Sequence, residues 1–541
     1  MAVEGSDRNS GPASPSRGGT DVLRRNITAG KLVGDIVGST LGPCGRDVLL
    51  YDRKEYEEED TNHVEVTNSG AFVLKRLVFG EPAAGVVARI AKAQDERCGD
   101  GTTTTALYAG QMLAEAEELL DQGLHPTSIV KGVNEAVGLA GEAIEGVSRP
   151  VDDVEVLESI VRTTLSGRLA DVLTSDLCEW IDDAVAASDG EKRFSRQSIQ
   201  TESLRAGNIG QSELVRGFVL KKSFAGRYDP VELDEPRIGL AMQGLARKER
   251  IQDRLETGDE GTKDLVFKPS DPEGYEEFAE HERALMREQL AGVVAADVDV
   301  LIVSNRVEDD LLSFFDDSGI AVVREADRDR LEAIADATGA TINKYIQGFS
   351  PEDVGYADRL EQRSYPEIDQ NAIFLRGCPN GHVASVLVHG STWASSWEAE
   401  RNVNNAVAVA DAALKHDRFI PGGGATEMEI GRFLRDAATE RGGREALAIE
   451  AVADAVEVVP RTLARNAGMN PLDAMVDLRT AHHHGETHVG VLPIERTTGN
   501  VLKDGVCEVA FNKRNAIQAA GSIVTTILRI DDTLTGIGPD V

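Results

Sequence analysis

The two ends of this chain are alike, and the middle differs from both. From Asp21 to about residue 146, and again after Asn402, the sequence has a helical period and is rich in Ala and Val. Residues 212 to 370 instead alternate strand-like apolar runs (Gly217 to Leu220, Val300 to Ser304, Ile320 to Arg324) with helical stretches. One natural reading is a nested layout, with an outer domain built from both termini. At 541 residues there is room for about three or four domains.

Local signals sharpen this outline. Val22, Leu23, Ile27, Leu32, Val33, Ile36 and Val37 recur at helical spacing. They predict a helix from Asp21 to near Ser39, stopped by the turn Leu41-Gly42-Pro43. A short strand, Asp47 to Tyr51, follows. After an acidic loop, Glu55 to Asp60, comes a hairpin-like stretch from Val64 to Leu77. An Ala-rich helix from Pro82 to Arg97 is broken at Cys98-Gly99-Asp100-Gly101, and a second starts at Thr102. A third begins after His125-Pro126-Thr127, where proline suits the first helical turn. Residues 150 to 200 read as short acidic helices, and 258 to 287 as a polar insertion.

Several function classes fall away. The chain carries 92 acidic against 57 basic residues, a net charge of -35. A nucleic-acid binder needs a basic face to neutralise phosphates, so none is expected. The excess acid reads as a solvated surface, of the kind a high-salt cytoplasm favours. The most apolar run, Leu290 to Val303, is interrupted by Asp297 and Asp299, so no membrane span is expected. Residues 1–20 are rich in Ser, Gly and Pro and read as a disordered tail rather than a secretory signal. Five scattered cysteines form no C-x-x-C pair, which fits a reducing cytoplasm. His482-His483-His484 with His488 invites a zinc reading, but cations at a helix C-terminus explain the run more simply.

Three glycine-rich turns carry chemistry. Thr40-Leu41-Gly42-Pro43 can expose backbone N–H groups to an anion. In Gly99-Asp100-Gly101-Thr102-Thr103-Thr104 the glycines allow close approach to phosphate, and the helix behind has a positive N-terminus. Asp100 can hold a hard cation through oxygen. The plain alternative is a helix-capping turn, which Asp and Thr equally favour. No Gly-Lys-Ser/Thr follows, so this is not a Walker A loop. Pro421-Gly422-Gly423-Gly424-Ala425 is either a flat platform for a ring or ribose, or a flexible turn. Gly505-Val506-Cys507-Glu508 and Ile527-Leu528-Arg529-Ile530-Asp531-Asp532 complete the series.

In this order and at these separations, the motifs resemble those of group II chaperonins of the TCP-1/cpn60 superfamily. "EPAAGVVARIAKAQDERCGDGTTTTAL", "GLHPTSIVKG", "PRTLARNAGMNPLDAMVDLR" and "TTILRIDDTL" all agree with the family, and the similarity runs from about residue 21 to 536. The resemblance implies a multidomain α+β and α/β fold. A mostly helical equatorial domain (21–146 and 405–541) would bind ATP. A hinge-like intermediate domain would comprise 147–211 and 371–404. An α/β apical domain (212–370) would bind unfolded clients and carry a built-in lid protrusion at about 258–287. It further implies a hetero- or homo-oligomeric double ring of homologous subunits in the cytoplasm, with no separate lid protein.

By the same resemblance, Thr40, Leu41, Gly42 and Pro43 would wrap phosphates. Asp100 would hold Mg²⁺, and Gly101, Thr102, Thr103 and Thr104 would donate to phosphate oxygens. Gly423 and Gly424 would contact ribose and base, and Glu508 the ribose hydroxyls. Arg168, in the loop after Thr163-Thr164-Leu165, resembles the γ-phosphate sensor. Cys44 stands where the family usually has Lys. Two departures matter most. The family's Thr-Asn-Asp-Gly-Ala reads Thr67-Asn68-Ser69-Gly70-Ala71 here. Its second catalytic Asp, seventeen positions before the glycine run, is Asn405. Asp47 and Glu400 are the nearby carboxylates that sequence offers as substitutes. Three readings follow: a nucleotide-binding subunit with weak or lost hydrolysis, a hydrolysing subunit with altered chemistry, or a holding scaffold without nucleotide.

Overall fold

The computed structural model describes residues 19–51, 64–167, 171–186, 194, 198–242, 290–307, 309–346, 349–380 and 383–531. The expected tail, the acidic loop at 55–60, the lid protrusion at 258–287 and Arg168 lie outside these residues, the tail save for its last two positions.

The chain opens with α1 (Gly19–Gly38), then β1 (Val48–Tyr51) and β2 (Val64–Thr67). These two strands pair antiparallel, with Val48 opposite Thr67. The hairpin therefore joins β1 to β2 and does not lie within Val64 to Leu77, as the sequence reading had it. Gly70–Arg76 is instead a helix, α2, because Ser69 caps it and Phe72, Val73 and Leu74 are buried. Next come α3 (Pro82–Cys98), α4 (Thr102–Asp121), α5 (Pro126–Val147), the short β3 (Arg149–Pro150) and α6 (Val154–Leu165). Pro126 opens α5 in the first turn.

The middle begins with α7 (Asp171–Ala186) and continues through β4 (Ile199–Leu204), β5 (Glu213–Leu220), β6 (Glu232–Asp234) and β7 (Arg237–Ala241). After β8 (Val300–Val303) come α8 (Asp309–Asp317), β9 (Ala321–Val323), α9 (Arg328–Thr338), β10 (Ile342–Asn343) and β11 (Gly355–Tyr356). Three longer strands follow, β12 (Arg359–Tyr365), β13 (Gln370–Arg376) and β14 (Ala384–His389). The strands of this middle region form two sheets. One has the order β4-β14-β5-β13-β12-β6; in the other, β10, β7, β8 and β9 run parallel and β11 pairs with β7. The parallel strand β8 is buried along its whole length, so it reads as a continuous apolar run, Val-Leu-Ile-Val.

The chain then turns helical again with α10 (Trp393–His416). After β15 (Arg418–Pro421) come α11 (Ala425–Arg441), α12 (Gly443–Val456), α13 (Val458–Asn466) and α14 (Pro471–His483). The chain closes with β16 (Val489–Leu492), β17 (Thr497–Asn500), β18 (Cys507–Val509) and α15 (Ala510–Leu528).

Two compact units result. One joins the residues up to Leu169 with those from Asn404 on; the other is Ala170–Val403. Residues 147–167 thus group with the outer unit. The core of that unit draws on α1, α3, α4 and α5 from the first part of the chain and on α11, α12 and α15 from the last, with Ala, Val, Ile and Leu dominant. A small sheet, β18-β15-β3, stitches the two parts together. No described helix is long and apolar enough to cross a membrane.

Candidate functional site

The motif loops converge inside the outer unit. A side chain on Gly70 would stand 2.2 Å from Thr103 Oγ1 and 3.4 Å from Thr40 Oγ1. The turn after α1, the cap of α2 and the start of α4 therefore meet at one point. A Cβ on Gly99 would lie 3.3 Å from the Asn405 carbonyl oxygen, which brings α10 to the same loop. Gly422 approaches Glu508 Oε1 within 3.3 Å on the same measure. The Asp100 carboxylate is within electrostatic reach of Glu508. Gly167, the residue before Arg168, packs against Pro43.

Local forces explain each loop. Thr40 is buried and donates from Oγ1 to the Val37 carbonyl (2.8 Å). Asn466, at the end of α13, donates to the carbonyls of Gly38 (3.1 Å) and Leu41 (2.9 Å), pinning the turn from outside. Cys44 directs its thiol to the Pro493 carbonyl. Gln94 and Asn512 brace the base of the 98–101 loop. Asn512 Nδ2 donates to the Cys98 carbonyl (3.1 Å), and Gln94 Nε2 donates to the Asn512 carbonyl (3.1 Å).

Gly101 and Gly424 are the N-caps of α4 and α11, both with left-handed backbone, and neither supplies a side-chain acceptor. The first N–H groups of a helix have no intrahelical partner, and at these two helix starts the cap residue has no side chain to accept from them. Asp100 is half-buried in the loop between α3 and α4. These residues fit a metal-bound polyphosphate: amides for anionic oxygen, a carboxylate for a hard cation, and a second carboxylate, Glu508, for hydroxyl groups.

The glycine run proves to be packed rather than flexible. Gly423 accepts from Val491 N–H (2.8 Å), and Gly422 donates to the Val506 carbonyl (2.9 Å). A Cβ on Gly424 would stand 2.6 Å from Pro460 in addition to the left-handed backbone (φ 81°). Gly424→Ala is expected to destabilise the chain by about 1–3 kcal/mol, read as a lower thermal midpoint. An unchanged midpoint would mean that α11 starts differently.

Ser69 and Asn405 are both buried. The Ser69 hydroxyl accepts from Phe72 N–H (3.1 Å), and its own N–H donates to Thr67 Oγ1 (3.0 Å). Of the proposed substitutes, Asp47 stands exposed just before β1, and Glu400 falls in the inner unit within electrostatic reach of Glu202.

A second feature escaped the sequence reading. Lys513 is buried and bridges two carboxylates, Glu427 Oε1 at 2.6 Å and Glu508 Oε2 at 2.7 Å. The Tyr108 hydroxyl donates to the same Glu427 oxygen (2.7 Å). Burial alone would push the Lys513 ammonium down; Glu427 and Glu508 outweigh it and hold it well above its ordinary value. Burial pushes the Glu508 carboxyl up, Lys513 offsets part of this, and Glu427 and Asp100 add to it. One signal was present: Lys513 falls in the apolar stripe of α15, with Ala510, Ile517, Ala520 and Val524.

The histidine run lies at the end of α14, with His482 and His483 in its last turn, as expected. His482 is buried there, with Nδ1 at 2.6 Å from Glu429 Oε1 and Nε2 at 2.7 Å from the Val489 carbonyl. No group of three metal-ligating side chains occurs among the described residues. Burial pushes the Glu429 carboxyl up, but hydrogen bonds from His482 and Arg432 outweigh it and hold it below its usual range. A depressed carboxylate contributes stability above its unfolded value, and that contribution is lost as pH falls through the folded one. The stability gap between wild type and Glu429→Gln is therefore expected to narrow below about pH 4.5 in urea melts. A gap that widens on acidification would contradict the pairing.

The sequence comparisons give the class of protein to which this scaffold belongs. The sequence profile of the TCP-1/cpn60 chaperonin family matches residues 33–536, and the chain belongs to that family. It is 34% identical over 529 residues to the thermosome subunit beta of Archaeoglobus fulgidus, covering 96% of this chain and 93% of the relative. To the thermosome subunit of Methanopyrus kandleri it is 34% identical over 522 residues, 95% and 92% of the two chains. The thermosome subunit alpha of Archaeoglobus fulgidus is 33% identical over 526 residues, 96% and 93%. The chain is thus a thermosome-like chaperonin subunit with the multidomain fold of that class.

Proposed function

We propose that this chain is a subunit of a cytoplasmic double-ring group II chaperonin that binds Mg²⁺-ATP and helps client proteins fold, with hydrolysis weak or lost in this subunit. Its ring neighbours would be homologous subunits, identical or different. The exposed Leu49 and Tyr51 on the two-stranded β1–β2 hairpin support association, since they leave apolar side chains of that hairpin in water.

One observation carries the reading. The helix ends, Asp100 and Glu508 are kept together, while the two positions that handle the attacking water in the family hold Ser69 and Asn405. Bound Mg²⁺ would supply charge neutralisation at the phosphates. Asp100 would hold the ion. The Thr40–Pro43 turn and the Gly101–Thr104 helix start would position phosphate oxygens through N–H groups. Arg168 is assigned to the terminal phosphate by family resemblance. Gly423 and Gly424 would carry the ribose and base, and Glu508 would accept from the ribose hydroxyls. Ser69 and Asn405 would hold water by hydrogen bonding. Neither is a useful base near neutral pH, so proton removal from that water stays slow.

Mg²⁺-ATP at 100 times its dissociation constant is expected to stabilise the purified subunit in high salt by about 2.7 kcal/mol, with little turnover. No thermal shift would favour the holding scaffold. Turnover equal to that of a relative with both carboxylates would favour the hydrolysing reading.

A further inference from the structure

We infer that Lys513, with Glu427 and Tyr108 behind it, is a positioning residue that aims Glu508 at ribose hydroxyls and so sets a preference for ribonucleotides over deoxyribonucleotides. This rests on the nucleotide reading above and goes beyond it by naming what makes the site sugar-selective.

The geometry carries the inference. Glu508 lies in β18, paired to Ile420 of β15, so its backbone is fixed beside the glycine turn. Its Oε2 is tied to the Lys513 ammonium at 2.7 Å. Its Oε1 faces Gly422, and about a third of the side chain remains exposed (34%). One carboxylate oxygen is anchored and the other lies beside the glycine turn. The anchor cannot swing away. Lys513 is also held by Glu427, which is fully buried and itself held by the Tyr108 hydroxyl of α4. The cluster therefore spans three elements, α4, α11 and α15, all packed in the same core.

Two physical consequences follow. A tethered acceptor has already lost its rotamer freedom, so accepting a hydroxyl costs little further ordering. The ammonium also offsets repulsion between Glu508 and the Asp100 carboxylate nearby. A site built to accept from a hydroxyl rejects an analogue that lacks it, because the tethered acceptor is left unpaired.

The test compares equilibrium binding of Mg²⁺-ATP and Mg²⁺-dATP to the full chain, with thermal melts of every variant. Wild type is expected to prefer ATP by about 10- to 100-fold, as for a hydrogen bond to a charged group. Glu508→Gln should reduce the preference several-fold, to about 2- to 10-fold. The paired change Lys513→Met with Glu427→Gln removes one charge of each sign, so the cluster keeps its net charge. It should reduce the preference to the same extent while dATP affinity holds. A paired variant that melts like wild type and keeps the full preference would overturn the inference. If the pair does not fold, Tyr108→Phe takes its place: it removes one donor from Glu427, and an unchanged preference there is equally fatal. Equal wild-type affinity for the two nucleotides overturns the inference and leaves the nucleotide reading standing. Binding of neither removes both.

Discussion

Replacing Ser69 and Asn405 together by aspartate is expected to raise steady-state ATP turnover by about 10²–10⁴-fold, the usual worth of a positioned base. The fold should tolerate both changes. Ser69 acts as an N-cap, with its hydroxyl accepting from Phe72 N–H, and aspartate caps helices as well as serine does. Asn405 lies near the glycine loop, and aspartate has nearly its shape. The two added charges sit in the region of Asp100, so the variant should melt lower without Mg²⁺ and recover when the metal nucleotide is added. Each single change should give less than the pair, because one carboxylate organises the site and the other activates water. If the pair binds nucleotide but turns over no faster, the lesion lies elsewhere, and Cys44 would be the first position to convert to lysine.

The largest stability effect is expected from Lys513→Met alone, about 3–5 kcal/mol, because it strands the buried Glu427 carboxylate beside Glu508 without a cation. Adding Glu427→Gln should restore most of the loss, since the unpaired charge disappears while Tyr108 can still donate to the amide oxygen. The rescue is the diagnostic. A pair no more stable than Lys513→Met would mean that Lys513 matters for packing along α15 rather than for charge. Thermal midpoints of the three proteins in one buffer suffice to decide.

What sequence could and could not reveal follows from the range of the forces involved. The helices Pro82–Cys98 and Pro126–Val147 were readable because their stops and starts are local: a Gly-Asp-Gly break and a proline in the first turn. The glycine loops were readable for the same reason. The segment after β2 was misread because Thr-Asn-Ser-Gly signals a turn and a helix cap equally well. Burial of Phe72, Val73 and Leu74 decides the outcome, and burial is a tertiary fact. The Tyr108–Glu427–Lys513 cluster joins residues separated by 319 and 86 positions, so no window along the chain contains it. His482 likewise finds Glu429 across 53 positions. Charged side chains inside a core are visible beforehand only as interruptions of an apolar stripe, which is how Lys513 appears in α15.

The β18-β15-β3 sheet bears on the order in which a ribosome can finish this molecule. Its strands come from residues 149–150, 418–421 and 507–509. The inner unit is one uninterrupted stretch and can collapse while translation continues. The proposed nucleotide site must wait for Glu508 and α15, which emerge last. A nascent chain halted after α14 would hold a finished inner unit on an outer unit whose early helices still expose apolar faces. Such a chain would itself be a candidate for the care of an assembled chaperonin.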